Sequence, residues 1–297
     1  MRPRRSGRPN GSSGRRKPAI PPPCAAPCIA YANFRIKQLN PDANIIVAPS
    51  DHVILKENEF IRVINEGLEF TKNNPALLTL GIKPNKPETG YGYIQVNNEV
   101  SIFGTNINKV KTFTEKPDYD MAKFFVESGE FFWNSGIFLW SLRSISNAFE
   151  THLPDVSNLF NENQGYLGTE KEAEIIEKIY LECKNISIDY GIMEKADNVY
   201  VLRSDFGWSD LGTWGSLYEI ESKNEKGNVI DFNNVLAYDT KNCIFNLPNR
   251  RLVVTQGLEN LIVVESEGIL LICKMQDEQQ LRHIVNDVKI KKGEEFI

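Results

Sequence analysis

Two aspartates that lie far apart in the sequence have the surroundings of a divalent-cation site. Asp210 lies in the rigid, glycine-punctuated aromatic stretch 207–214. Asp51 comes shortly after the apolar run Asn44–Val47, within Ala-Pro-Ser-Asp-His. Carboxylates at two such turns can hold a hard cation such as Mg²⁺ against a phosphate-bearing substrate. An aspartate that follows a strand can equally be a helix cap or a turn residue, so the spacing alone leaves both interpretations open.

Further polar side chains have types that suit a phosphorylated sugar. Glu115 can accept hydrogen bonds from sugar hydroxyls, and Lys116 can neutralise a phosphate. Asn134 can donate and accept at once, and Asp189 stands at a predicted helix start. Each has a structural alternative: a strand end and turn at 115–117, a bond from Asn134 to the backbone, and a helix N-cap at Asp189.

The glycine-tyrosine stretch 89–94 could bring backbone close to a ligand, because Gly92 carries no Cβ. A tight hairpin turn is the alternative interpretation of these glycines. His52 is interpreted as structural, bonded to backbone next to Asp51 and without a role in proton transfer.

Apolar periodicity predicts alternating helices and strands in the first half of the chain. We expect helices over 27–39 and 57–72, and buried strands over 43–48 and 77–82. Strand, helix and strand in succession predict a parallel sheet, and such sheets bind ligands beyond the carboxyl ends of their strands. After residue 222, short apolar runs between turn residues predict a small all-β unit, closed by a helix over 276–288.

Composition is that of an ordinary soluble globular protein. The 297 residues are 41% hydrophobic and 25% charged, enough for a large domain and a smaller one. No apolar run approaches the roughly 18 residues needed to cross a bilayer. The five cysteines are odd in number and mostly lie in apolar segments, which predicts reduced thiols in a cytoplasmic protein. Cys24 and Cys28 lack a second pair of ligands for zinc.

The first 25 residues differ from the rest of the chain. They hold seven basic residues and no acidic one, so the remainder is more acidic than the overall net charge of −5. Many Pro, Gly, Ser and Arg residues with little hydrophobicity predict disorder. Nucleic-acid binding is the alternative for such a tail, but the acidic remainder offers no basic stripe. We therefore expect neither a nucleic-acid nor a membrane partner.

Six motifs in this order resemble the mannose-1-phosphate guanylyltransferases of the nucleotidyltransferase superfamily, from about residue 26 to the C-terminus. They read Ala-Pro-Ser-Asp-His, Glu-Thr-Gly-Tyr-Gly-Tyr-Ile, Phe-Thr-Glu-Lys-Pro, Trp-Asn-Ser-Gly-Ile-Phe, Ser-Ile-Asp-Tyr-Gly-Ile-Met-Glu and Gly-Trp-Ser-Asp-Leu-Gly-Thr-Trp. The resemblance implies a Rossmann-like α/β core with a mixed, mostly parallel sheet and flanking helices. A small C-terminal β-rich, β-helix-like unit would follow. The domains would be a basic non-family tail over 1–25, the core over 26–222 and the β-rich unit over 223–297.

The resemblance also implies a reaction, in which mannose 1-phosphate attacks the α-phosphorus of GTP and GDP-mannose and pyrophosphate form, with Mg²⁺ as cofactor. Asp51 and Asp210 would hold the metal, and with Lys116, on the sugar phosphate, they would be the catalytic residues. The remaining substrate-binding residues implied are Tyr91, Gly92, Glu115, Asn134 and Asp189. A homodimer is left open.

One family feature is not found. The family opens with a strand and a loop of the form Gly-Gly-x-Gly-x-Arg-x-x-Pro, whose amides cradle the triphosphate, and the glycines of 1–25 lack that spacing. We therefore expect roughly the first hundred residues of the usual fold to be absent, through truncation or a frameshift. Two alternatives follow: a catalytically inactive remnant with the sugar-phosphate half-site, or a pyrophosphorylase for another nucleotide or sugar.

Overall fold

The computed structural model describes residues 25–102, 104–230, 234–248 and 250–296. The predicted disorder and non-family origin of residues 1–25 therefore lie outside the described residues, apart from Ala25. The chain divides into two compact units. One comprises Met1–Pro41 and Ser146–Lys195, and the other comprises Asp42–Ile145 and Ala196–Ile297. The domain boundaries expected from sequence remain predictions.

Helices and short strands alternate along the first part of the chain, and strands dominate the last part. The α-helices of the described ranges are α1 (Ala25–Leu39), α2 (Glu57–Asn73), α3 (Tyr119–Ser128), α4 (Leu142–His152), α5 (Pro154–Asn163), α6 (Glu172–Glu182), α7 (Trp214–Ile220) and α8 (Leu281–Lys292). The strands are β1 (Asn44–Val47), β2 (Val53–Ile54), β3 (Leu77–Ile82), β4 (Tyr93–Ser101), β5 (Ile107–Thr114), β6 (Phe131–Ser141), β7 (Val199–Ser204), β8 (Trp208–Ser209), β9 (Val229–Ile230), β10 (Val235–Tyr238), β11 (Ile244–Asn246), β12 (Val253–Gln256), β13 (Leu261–Ser266) and β14 (Ile269–Lys274). The shorter helical turns are Gln164–Tyr166, Asp189–Met193, Met275–Gln280 and Glu294–Phe296.

The first unit is helical. Helices α1 and α5 pack through the stacked rings of Phe34 and Phe160, whose centroids lie 5.5 Å apart. The carboxylate of Glu172, at the start of α6, accepts a 2.6 Å hydrogen bond from the Tyr31 hydroxyl and pairs with Arg35 at 3.1 Å. These contacts tie α1 to α6.

The second unit is built on a six-stranded sheet in the order β1-β6-β3-β7-β5-β4, with a further pairing between β6 and β4. The prediction of a mixed sheet is confirmed, but the prediction that it is mostly parallel is wrong, because β3–β7 is the one parallel pair among these described strands. Strands β1 and β3 run in the same direction, as the β1–α2–β3 order predicts. The eleven-residue β6 lies antiparallel between them.

Strand β6 has the burial expected of a central strand. Most of its side chains are buried, as expected of a strand covered on both faces. Helix α2 packs closely on the sheet at Gly67, where a Cβ would meet Leu78 Cδ2 at 2.9 Å. Helix α3 begins at an N-cap, because the side chain of Asp118 accepts the Met121 N–H at 2.9 Å.

The C-terminal region is β-helix-like, as expected. Strands β9, β11 and β13 stack in parallel through Val229, Ile244 and Ile262, and β10 pairs in parallel with β12. Strand β14 then returns antiparallel to β13. The predicted closing helix is two elements, because residues Met275–Gln280 form a 3₁₀ turn before α8 begins at Leu281.

Among the described residues, no helix is both long and apolar enough to cross a membrane. The four described cysteines, Cys28, Cys183, Cys243 and Cys273, form no disulfide. Cys243 is buried and Cys28 is exposed, so the expectation of core thiols fits the first better than the second. Cys24 lies outside the described residues.

Candidate active site

The two predicted metal aspartates are brought together by a short antiparallel ladder. Strand β2 pairs with β8 so that Val53 lies opposite Ser209 and Ile54 opposite Trp208. Asp51 precedes β2 and Asp210 follows β8, which places both carboxylates at the same end of the ladder. The charges of both act on the imidazole of His52. This arrangement depends on pairing residues about 150 positions apart.

His52 is held by an indole rather than by backbone. Its Nδ1 accepts a 3.0 Å hydrogen bond from Nε1 of Trp208. Burial lowers the pKa of His52 below its usual value, against the opposing effect of the Asp210 and Asp51 charges. A neutral ring that accepts at Nδ1 carries its proton on Nε2. The side chain thus positions the loop before β2, in keeping with the structural role expected for it.

Tyr91 orients the carboxylate of Asp210. Its hydroxyl donates a 2.6 Å hydrogen bond to Asp210 Oδ1, which also accepts the Gly212 N–H at 2.9 Å. Burial, followed by the bond to Asp210, raises the pKa of Tyr91, so the hydroxyl stays protonated and donates. The ring packs edge-on against Trp133 and Trp208, with centroids 5.1 and 5.2 Å away. Two donors therefore fix Oδ1 and leave Oδ2 as the oxygen they do not use.

Gly92, Glu115 and Asn134 form a second group of predicted residues. A Cβ on Gly92 would meet Glu115 Oε2 at 2.5 Å and the Asn134 Cβ at 3.5 Å. The Gly92 carbonyl accepts the Asn134 N–H at 2.8 Å. A larger residue here would force the Glu115 carboxylate to move, because that carboxylate occupies the place of a Cβ. Tyr91 and Gly92 are sequence neighbours, so this group adjoins the Tyr91–Asp210 pair.

The amide of Asn134 is held by its surroundings. Its Oδ1 accepts hydrogen bonds from the Thr79 hydroxyl at 2.9 Å and from the Gly136 N–H at 3.2 Å. The predicted alternative, a bond from Asn134 to backbone, is therefore present, but β6 is unbroken there and shows only a register shift in its pairing with β3. Gly136 has a positive φ of 71°, and a Cβ there would lie 3.5 Å from Pro49 and 3.8 Å from His52. This part of β6 thus lies beside the loop that carries Asp51.

Lys116 occupies an unusual backbone conformation. Its φ is +46°, and Leu211, next to Asp210, has a φ of +52°. Such values are uncommon outside Gly, Asn and Asp, and they recur where a fold constrains a functional loop. The Lys116 ammonium pairs with Glu115 at 3.0 Å and is about half exposed, while the Glu115 carboxylate is nearly buried. The lysine thus presents a charge to solvent beside the Glu115 group.

An open cleft of about 510 Å³ lies against the Tyr91–Asp210 pair. Its described lining includes Glu88, Asp210 and Glu278 but no Lys or Arg. Tyr91 and Asp210 line it, whereas Asp51, Gly92, Glu115, Lys116 and Asn134 do not. A cleft with three carboxylates repels phosphates unless a cation neutralises them.

Sequence reasoning missed three residues of this cleft: Glu88, Glu278 and Gln279. Glu88 stands at the start of a motif that was recognised, so a signal existed for it. It is 1% exposed, and its Oε1 accepts hydrogen bonds from the Gly90 N–H at 3.1 Å and from Gln279 at 2.6 Å. Gln279 is 191 residues away from Glu88, and no local pattern could link the two.

The donor set near Asp51 and Asp210 fits a magnesium ion bound partly by substrate. The described residues contain no group of three or more His, Cys, Asp or Glu side chains arranged to hold a metal. Mg²⁺ commonly takes one or two carboxylates and completes its shell with water and substrate phosphates. Two carboxylates, one of them oriented by Tyr91, meet that requirement.

Asp189 belongs to the helical unit, whereas the other predicted site residues belong to the second unit. It is the first residue of the π-helical turn Asp189–Met193, and its carbonyl accepts the Glu194 N–H at 3.0 Å. The expected helix start is present, and a role toward the sugar stays a prediction.

The fold is a mixed α/β sheet, and loops near its strands carry the paired aspartates. The family model described as nucleotidyl transferase matches residues 17–227, so the chain belongs to that family. A second model, described as the MannoseP isomerase/GMP-like beta-helix domain, matches residues 233–288.

Named relatives show which members of the family this chain is similar to. A mannose-1-phosphate guanylyltransferase of Escherichia coli is 32% identical over 89% of this chain and 57% of its own length. One of Sinorhizobium fredii is 33% identical over 90% of this chain and 51% of its own length. The chain thus spans little more than half of these relatives. A Thermus thermophilus crystal structure, titled mannose-1-phosphate geranyltransferase, has a TM-score of 0.74 at 26% identity and covers 91% of this chain and 77% of its own.

Proposed function

We propose that this chain transfers a guanylyl group from GTP to mannose 1-phosphate, giving GDP-mannose and pyrophosphate. The observation that carries the proposal is the convergence of Asp51 and Asp210 beside the Gly92–Glu115–Asn134 group. Relatives named for this activity support it. The acidic cleft beside them suits a substrate that arrives with a cation.

The reaction needs no covalent enzyme intermediate. An oxygen of the sugar phosphate forms a bond to the α-phosphorus of GTP, and the bond from that phosphorus to the bridging oxygen breaks. Pyrophosphate leaves with the bonding electron pair, so atoms and charge balance. The protein's contribution is positioning and charge neutralisation. Bound Mg²⁺ would supply Lewis-acid polarisation and neutralise phosphate charge.

The named residues divide this work. Asp51 and Asp210 would hold the magnesium ion. Lys116 would neutralise the sugar phosphate, and Glu115 with Asn134 would orient mannose hydroxyls through hydrogen bonds. The absence of a Cβ at Gly92 would give the sugar room against the Glu115 carboxylate.

The first test is pyrophosphate release by the 297-residue chain with Mg²⁺, mannose 1-phosphate and each nucleoside triphosphate in turn. We expect release with GTP above the other nucleotides. If release occurs only when another nucleotide replaces GTP, or another sugar phosphate replaces mannose 1-phosphate, the chain is a different pyrophosphorylase. No release from folded protein would favour the inactive remnant.

The metal assignment is tested by Asp210→Asn, which keeps the size of the side chain and removes its charge. We expect pyrophosphate release to be lost, because an amide binds Mg²⁺ poorly. The matched control is Asp205→Asn, a nearby surface carboxylate that pairs with Lys56 at 3.0 Å. Full Mg²⁺-dependent activity in Asp210→Asn would refute the assignment.

We also propose that the C-terminal β region mediates a homodimer in the cytoplasm. Leu236 and Val254, opposite each other on β10 and β12, and Leu270 and Ile272 on β14 are exposed apolar side chains. These side chains lie on two sheets of the β region, and exposed apolar side chains grouped on strands can form an interface. Light scattering should give twice the chain mass, and Val254→Asp should give the single mass. A monomeric parent chain would exclude the dimer.

A further inference from the structure

The 3₁₀ turn Met275–Gln280 contacts the loop before Tyr91 and the start of α7, the helix that follows the Asp210 loop. Gln279 donates from Nε2 to Glu88 Oε1 and accepts from the Thr89 hydroxyl at Oε1, both at 2.6 Å. Its neighbour Glu278 accepts the N–H groups of Trp214 and Gly215, the latter at 3.0 Å. Two consecutive side chains thus bind the loop before Tyr91 and the first turn of α7, the helix that follows the Asp210 loop.

The turn itself is fixed to the β region. It follows β14 directly, and the Met275 N–H donates to the Asn260 carbonyl at 2.9 Å. Met275 packs on the same apolar cluster as Trp214 and Leu217 of α7. The backbone that carries Glu278 and Gln279 is therefore held in place by the β region and by packing against the same apolar cluster as α7.

Glu278 and Gln279 make hydrogen bonds that involve buried carboxylates, and the loss of such bonds lowers stability. Glu88 is almost fully buried, and its Oε1 depends on Gln279 and Gly90 for donors. Burial raises the pKa of Glu278, while the two backbone N–H groups and Lys86 counteract that effect. A buried carboxylate that loses its donors destabilises the loop that holds it.

We propose that Glu278 and Gln279 are positioning residues, through which the C-terminal β region sets the geometry of the Tyr91–Asp210 pair. The catalytic consequence rests on the proposed nucleotidyl transfer, whereas the control of loop geometry does not. The β region then contributes to the site in each chain, apart from any part it plays in a dimer.

The test compares Gln279→Glu with Gln276→Glu, the same chemical change at an exposed position of the same turn. In Gln279→Glu the donor to Glu88 becomes a second carboxylate. We expect kcat to fall by roughly tenfold to a hundredfold, because a displacement near 1 Å costs about that much, while KM changes far less. Gln276→Glu should keep the parent kcat.

The pH profile separates positioning from general loss of structure. A protonated glutamic acid at 279 can again donate to Glu88, so kcat of Gln279→Glu should recover as the pH is lowered from about 8 to about 6. Neither the parent chain nor Gln276→Glu should show such recovery. A flat profile at reduced kcat would overturn the positioning role.

Amide hydrogen exchange gives a readout that does not need activity. In Gln279→Glu the amide of Gly90, and in Glu278→Gln those of Trp214 and Gly215, should exchange roughly three- to tenfold faster. Gln276→Glu and Asp277→Asn should leave these amides unchanged. If the parent chain shows no turnover, the proposed function fails and exchange alone decides the positioning role. Unchanged exchange in both Gln279→Glu and Glu278→Gln would refute it.

Discussion

The hydroxyl of Tyr91 donates a 2.6 Å hydrogen bond to Oδ1 of Asp210, which lies 119 residues further along the chain. Because the ring is buried between Trp133 and Trp208, the hydroxyl has little freedom to leave this position. A neighbour that orients a metal-binding carboxylate usually affects metal affinity as well as rate. Tyr91 thus acts on the candidate metal site through Asp210.

Tyr91→Phe should raise the Mg²⁺ concentration needed for half-maximal pyrophosphate release by about tenfold, the usual cost of removing a partner of a metal ligand. The ring and its packing remain, so the thermal midpoint should change little. Tyr200→Phe is the matched control, because Tyr200 packs on Phe70 and does not contact Asp210. An unchanged Mg²⁺ requirement in Tyr91→Phe would show that the hydrogen bond does not influence a metal at Asp210.

Gly92→Ala should impair sugar-phosphate binding through a steric effect. The new Cβ would lie 2.5 Å from Glu115 Oε2, so the carboxylate must move. We expect kcat/KM for mannose 1-phosphate to fall by roughly tenfold to a hundredfold. Gly165→Ala is the control, since a Cβ there would meet no atom within 4 Å. If Gly92→Ala keeps the kcat/KM of the parent chain, Glu115 does not bind the sugar.

Lys116→Ala should act mainly on the binding of the sugar phosphate. The half-exposed ammonium pairs with Glu115, and its removal leaves the phosphate without that counter-charge. We expect KM for mannose 1-phosphate to rise by about tenfold with kcat less affected, the pattern of lost ground-state binding. Lys111→Ala, an exposed lysine of β5, should show parent kinetics. A fall in kcat with unchanged KM would instead show that Lys116 stabilises the transition state.

Cys183 should resist alkylation in the folded protein. Burial raises the pKa of its thiol from the usual 9.0 to about 11. Only the thiolate reacts, so its rate with iodoacetamide near pH 8 should be about a hundredfold below that of an unshifted thiol, and should rise with pH until it passes the raised pKa. Mass spectrometry of the Cys183 peptide gives the rate, with the unfolded chain as control. Equal rates in folded and unfolded protein would contradict the shift.

Elements with strong local patterns could be predicted from sequence. The strand over 77–82 and the helix beginning at Glu57 have the predicted bounds or nearly so, because apolar patterns are local properties of the sequence. The order of strands could not be predicted. Strand β6 lies between β1 and β3, and its length suits that central position. Which strands become neighbours is a property of the assembled sheet.

The six ordered motifs, by themselves, determined the family and the candidate residues, because residue type and order within a motif are carried by the sequence. They also placed Asp51 shortly after an apolar run and Asp210 in a glycine-punctuated aromatic stretch. Only the tertiary structure decided that the ladder between β2 and β8 brings these aspartates to one end, that Tyr91 orients Asp210, and that Gln279 binds Glu88. The physical reason is distance along the chain: hydrogen bonds between residues 119 and 191 positions apart form only once the sheet and the β region have folded.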